Sequence, residues 1–201
     1  MTSPVLPERL NTPAPQALEL LLTRRSGSPK AMTGPGPDAG QLRTILTAAT
    51  RVPDHGKLTP WRFITLQGEA RGRFGAELAR LFKESNPAAI DEILASEARR
   101  FERAPVVVAV VSRAEGNAKV PEWEQQLSSG AACTMLLLAA HALGFTAAWY
   151  TEWPAYDARV KPVLGLSEKE RIAGFIYIGM PAIPLEDRPR PALETIVTAW
   201  G

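Results

Sequence analysis

The chain has 201 residues, 45% apolar and 22% charged, which is ordinary for a globular protein and enough for one compact core. Its 23 basic and 21 acidic residues leave a formal net charge of +2, too small to argue for nucleic acid or an anionic membrane surface as a partner. A single cysteine, Cys133, excludes an intrachain disulfide; set in an apolar run, it reads as a buried and unreactive thiol.

Residues 1–15 carry four prolines and read as an extended arm, separate from a single domain over residues 16–201. Their lack of an apolar core of signal length makes the cytoplasm the expected location. Residues 15–24 read as a helix with Leu18, Leu21 and Leu22 on one face, broken by the Gly and Pro of residues 25–29. Asp38 is a good N-cap for a helix whose apolar period runs to about Val52. A polar loop follows, in which Arg51, Asp54, His55, Lys57 and Thr59 fall within nine positions and Pro53 and Pro60 stiffen the path. Residues 61–66 read as a strand, 69–84 as an amphipathic helix and 88–102 as a more polar one. Residues 105–112 are an almost unbroken β-branched run, the pattern of a strand buried on both faces.

A long helix is predicted over residues 121–143, stopped by Gly144. Residues 131–150 are nearly long enough to cross a bilayer, but His141 and Gly144 interrupt them, so a buried core or subunit-interface helix is the better reading. Residues 145–151 and 171–179 read as strands, 154–164 and 167–170 as short helices, and the tail from Met180 as a proline-rich excursion. Four strand candidates interleave with about six helices, one of them unusually apolar, which favours an α+β domain whose central helix is covered partly by a second subunit.

Searches for self-contained chemistry return little. His55 and His141 lie far apart, H-E-x-x-H does not occur, and a lone cysteine cannot build a zinc knuckle, so no metal is expected. G-x-S-x-G, a Walker A loop and G-x-G-x-x-G do not occur either. Arg24-Arg25-Ser26, where a helix gives way to a loop, matches a phosphate through two guanidinium forks and a hydroxyl. The same arginines are also what a helix C-terminus favours. Arg188 and Arg190 either converge on the same anion or stay solvated in the tail. His55 reads equally as a ligand contact or a turn residue, and Trp149-Tyr150 as a ligand wall or as packing. Taken together, a clamp, polar loop donors and an aromatic wall suit a flat phosphorylated cofactor such as flavin mononucleotide (FMN).

The stretches ALELLLTRRSGSP, LRTILTAATRVPDHGKLTPWRFI, VPEWEQQLSSGAACTMLLLAAHALGFTAAWYT and FIYIGMP occur in an order that resembles the flavin-dependent nitroreductase family. They are most similar to its small, single-domain NAD(P)H nitroreductase branch. The resemblance spans roughly residues 16–197. It implies an α+β fold with a central, mostly antiparallel sheet surrounded by helices, and a long buried helix at a homodimer interface that holds FMN. It also implies that Arg24, Arg25 and Ser26 hold the FMN phosphate, with Arg188 or Arg190 completing the site. Trp149, Tyr150 and Thr151 would line the flavin ring, and Arg51 and His55 would reach it from the neighbouring subunit. Tyr150 departs from the pattern, standing where relatives often carry arginine.

The implied activity is ping-pong hydride transfer from NADH or NADPH through FMN to a nitroaromatic, a quinone or a similar electron-poor acceptor. The flavin carries the chemistry, so no side chain need act as a catalytic acid or base. Two alternatives stand beside it: an FMN-binding storage or sensor protein with little turnover, and a family member with different flavin chemistry such as reductive dehalogenation.

Overall fold

The computed structural model describes residues 11–116 and 119–201. The predicted arm over residues 1–15 thus lies mostly outside the described residues, and its described part is exposed coil as far as Ala14. In chain order the elements are α1 (Pro15–Thr23), β1 (Met32–Thr33), α2 (Ala39–Ala49), β2 (Trp61–Gln67), α3 (Glu69–Ser85), α4 (Asp91–Ala98), β3 (Val106–Ser112), α5 (Glu122–Ala142), β4 (Thr146–Tyr150), α6 (Val160–Val163) and β5 (Arg171–Pro181).

Every strand pair among the described residues is antiparallel, so the α+β expectation holds. β5 is the centre: it pairs with β3 on one side, β3 pairs in turn with β2, and β4 and β1 also pair with β5. β3 is buried along its whole length, as its unbroken β-branched run predicts. Its side chains alternate between two cores. Val106, Val108 and Val110 face α2 and α5, packing with Ile45, Cys133 and Leu136. Val107, Ala109 and Val111 face α3 and the turn after α4, packing with Phe74, Leu78 and Phe101. The sheet is therefore the middle layer of three.

Local rules account for most element ends. Asp38 and Gln41 form a reciprocal capping box at the start of α2. That helix ends at Ala49 rather than near Val52, because Pro53 disfavours helical geometry in the residue before it. The helix expected over residues 88–102 is only Asp91–Ala98, followed by a 3₁₀ turn, Arg100–Arg103. Gly75 of α3 lies against its end, where a Cβ would stand 1.8 Å from the Ala98 carbonyl oxygen. The short helix expected over residues 167–170 does not form. Glu170 does accept a hydrogen bond from the Ser167 N–H at 2.9 Å, but β5 begins at the next residue and leaves no room for a turn. The two-residue β1 was not foreseen, being too short to show a period.

The apolar run over residues 131–150 divides between α5 and β4, with Gly144 turning the chain at φ +85°. Among the described residues, no helix is long and apolar enough to cross a membrane. Cys133 is fully buried, and burial pushes its thiol pKa up to about 12, so it is inert.

Candidate cofactor site

Arg24 ends α1 with extended backbone (φ −56°, ψ 141°), and the chain turns away as the loop Arg24-Arg25-Ser26-Gly27-Ser28. Two contacts pin this loop to the body of the protein. The Arg25 carbonyl accepts a hydrogen bond from His141 Nε2 near the end of α5, at 2.8 Å. Gly27 lies on the first residue of β4, so close that a Cβ would stand 2.6 Å from Thr146 Oγ1. Burial lowers the His141 pKa and the Arg24 charge acts in the same direction, outweighing the backbone hydrogen bonds that raise it; the Arg25 carbonyl can only accept, so Nε2 of the ring carries a proton. Its Nδ1 and the Thr146 hydroxyl are both buried without a hydrogen-bond partner.

The C-terminal tail folds back over the same loop. Arg25 Nε donates to the Glu186 carbonyl at 2.7 Å. Arg25 Nε and Arg190 Nη2 approach the same oxygen, Asp187 Oδ1, at 3.7 and 3.4 Å. Two guanidinium groups from opposite ends of the chain thus already converge on one anionic oxygen. Arg24, Arg25, Ser26, Gly27, Ser28, Tyr150, Arg188 and Arg190 line a cleft of about 380 Å³. Arg188 and Arg190 both line this cleft, and both remain exposed.

The aromatic wall is only partly gathered. Tyr150 lines the cleft and rests on Tyr177 at 6.0 Å, edge to face. Trp149 points elsewhere, its Nε1 donating to the Ala173 carbonyl at 3.1 Å and its ring lying on Gly174. Only glycine admits the indole there, because a Cβ would stand 1.9 Å from Nε1. Thr151, half-buried, does not line the cleft.

Arg51 and His55 lie outside the cleft of their own chain. His55 lines a separate cavity of about 550 Å³ with Asp54, Glu124 and Ser128, and its Nδ1 is 2.8 Å from Glu124 Oε1. Arg51 is exposed at the end of α2. The loop that carries them, from Arg51 to Pro60, is tightly held. The Asp54 carboxylate accepts from the N–H groups of Leu58 and Thr59 at 3.0 and 2.9 Å, across a stretch where Gly56, Lys57 and Thr59 all have positive φ. Ser128 donates to the Pro53 carbonyl at 2.6 Å and accepts from Trp61 Nε1 at 3.1 Å. Ser129 donates to the Pro60 carbonyl at 3.1 Å. These serines, which carry no sign of a catalytic base in the sequence, are staples that tie the loop to α5.

Sequence reasoning missed His141, Thr146, Glu124 and both serines as organisers of the site. Only His141 left a local signal, as a polar residue in an otherwise apolar helix. Among the described residues, no group of His, Cys, Asp and Glu is arranged to hold a metal.

The architecture defines the class: an α+β protein with an antiparallel sheet between helices and a cleft lined by four arginines. The family follows from comparison with known proteins. The nitroreductase family model matches residues 21–180, and the chain belongs to that family. It is 39% identical over 170 residues to the Escherichia coli (strain K12) protein named "Putative NAD(P)H nitroreductase YdjA", covering 83% of this chain and 89% of that one. A Haemophilus influenzae relative with the same NAD(P)H nitroreductase designation is 38% identical, over 81% of this chain and 87% of its own. The structure of a nitroreductase-like family protein from Bacillus cereus superposes with a TM-score of 0.79 at 21% identity, over 95% of this chain and 98% of that one. A nitroreductase-type structure from Desulfovibrio desulfuricans, in complex with FMN, gives 0.70 at 25% identity, over 94% and 98%.

Proposed function

We propose that the protein is an FMN-dependent NAD(P)H oxidoreductase of nitroreductase type, acting on nitroaromatic, quinone or similar electron-poor acceptors. The observation that carries this reading is the cleft that gathers Arg24, Arg25, Ser26, Arg188 and Arg190 beside Tyr150. Its residues suit FMN. Four guanidinium groups and a hydroxyl match a dianionic phosphate, and Gly27 keeps the loop backbone close and free of a side chain.

The bound flavin supplies hydride transfer. Arg24, Arg25 and Ser26, with Arg188 and Arg190 from the tail, bind the phosphate. Tyr150 flanks the path from the phosphate toward the ring. The cleft gathers the groups that would hold the phosphate end, and a second copy of the chain would complete the surroundings of the ring. That copy offers Arg51 and His55, held rigid by Asp54, Glu124, Ser128 and Ser129. Arg51 and Lys57 would supply positive charge to the reduced ring. A homodimer agrees with the apolar side chains that one chain leaves exposed: Leu18, Leu21 and Leu22 on α1, and Trp123 and Leu127 on α5.

The test is direct. The purified protein is expected to be yellow or to take up FMN, to bleach anaerobically with NADH or NADPH, and to turn over a nitroaromatic or quinone. A protein that takes up no FMN refutes the reading. A yellow protein that neither nicotinamide bleaches is instead a flavin store or sensor. The feature behind that second reading is Tyr150, an aromatic lining the cleft where the family resemblance leads to the expectation of a cation.

A further inference from the structure

Glu152 follows Thr151 immediately beyond β4, with φ +52° and ψ −175°. That region of backbone space is essentially reserved for glycine, and a residue with a side chain stays there only when its surroundings over-determine it. The surroundings here are specific. Arg100 Nη1 lies 2.6 Å from Glu152 Oε2, and Arg103 Nη1 lies 3.9 Å from Oε1. The Arg100 side chain is only 9% exposed, and its Nε donates to Glu97 Oε2 at 2.8 Å. The same Glu97 oxygen accepts from Trp153 Nε1 at 2.9 Å. The two residues that follow Thr151 are therefore both tied to one buried Glu97–Arg100 pair, which spans the end of α4 and the turn after it.

Stability alone is a poor reason for this arrangement. Glycine would adopt the same backbone without strain. Buried ion pairs contribute little net stability compared with apolar packing of similar volume, because both charges must be stripped of water. What the arrangement does accomplish is geometric. It sets where β4 stops and how Tyr150 and Thr151 are presented, at the edge of the cleft that Tyr150 lines. Backbone strain held by a rigid network is characteristic of ligand clamps.

We propose that Glu152 is a positioning residue for the cofactor wall: its carboxylate, gripped by Arg100, holds a strained backbone so that Tyr150 meets the flavin in a single orientation. This rests on the flavin reading above. Glu152 touches no cofactor itself and acts through the two residues before it.

The experiment compares the full-length protein with Glu152→Gly, which removes both strain and anchor, and Glu152→Gln, which keeps the length and loses the charge. Each apoprotein is melted, titrated with FMN by quenching of flavin fluorescence, and examined by visible circular dichroism of the bound flavin. Both variants are expected to fold, to bind FMN about tenfold more weakly, within the range that strain of this kind can supply, and to change the flavin dichroism. FMN affinity within twofold of the parent, with the dichroism unchanged, overturns the proposal and leaves the flavin reading standing. A parent protein that binds no FMN overturns both. Should neither Glu152 variant fold, Arg100→Lys keeps a cation between Glu97 and Glu152 but loses the fork. Weaker FMN binding with altered dichroism then supports the proposal, and unchanged binding overturns it.

Discussion

The contact between Gly27 and Thr146 offers the sharpest test of how the cationic loop is held. A methyl group at position 27 would stand 2.6 Å from Thr146 Oγ1 and 3.3 Å from Thr146 Cγ2. The first distance is roughly 0.9 Å inside an ordinary contact of about 3.5 Å. Thr146 is 2% exposed and is the first residue of a paired strand, so its side chain has little room to yield. Gly27→Ala therefore overpacks the site, and overpacking of this size costs about 1–3 kcal/mol. The loop is the softer partner, so part of that cost is expected as displacement of Arg25 and Ser26 and loss of FMN affinity. Thr146→Ala removes both clashing atoms. The hydroxyl it deletes has no hydrogen-bond partner, so the single change forfeits no bond. The double variant Gly27→Ala/Thr146→Ala should then regain most of the stability and affinity lost in Gly27→Ala. Urea unfolding and FMN titration of the four proteins form a double-mutant cycle. Strict additivity, or a Gly27→Ala protein indistinguishable from the parent, refutes the contact as the determinant of loop position.

Three further outcomes are expected. Arg24→Ala combined with Ser26→Ala should weaken FMN binding by at least about 1.5 kcal/mol, the order contributed by hydrogen bonds to a charged group; equal affinity in a flavin titration would exclude these residues from the phosphate site. His141 has a pKa below its ordinary 6.5 because burial disfavours its charged form, so its contribution to stability is complete above that pH and is lost as pH falls toward the folded-state value. His141→Gln, which can still donate to the Arg25 carbonyl, should flatten urea-measured stability across that window; an unchanged pH profile would show that the ring is not the titrating group. Cys133 should react with a thiol reagent at mildly alkaline pH only as fast as the protein unfolds, since it is buried and its pKa is pushed up to about 12; rapid labelling of the native protein would contradict that burial.

Much of this molecule is legible from local pattern. The β-branched run of β3, the Asp38–Gln41 capping box of α2 and the glycine stop after α5 each rest on residues a few positions apart, and each formed where its rule places it. The resemblance to the nitroreductase family likewise rests on short ordered motifs, one of which carries Arg24, Arg25 and Ser26. The helix expected at residues 167–170 shows the limit. Its capping interaction exists, but the demand of β5 for pairing with β3 overrides it.

The candidate site depends on a different kind of information. Nothing near Arg25 announces that Arg190 will share an oxygen with it, or that His141 will hold its carbonyl. Ser128 and Ser129 gain their roles only because α5 lies under the loop that contains Pro53 and Pro60. Periodicity and capping are properties of neighbours along the chain. Convergence of distant side chains depends instead on how helices and strands pack when their apolar faces leave water, and that packing places residues together whatever their separation in sequence. The sequence by itself therefore determined most of the elements, the burial of β3 on both faces and the chemical character of the Arg24 loop. The tertiary structure alone decided that both ends of the chain close on one cationic cleft, that Trp149 turns away from it, and that Arg51 and His55 face outward.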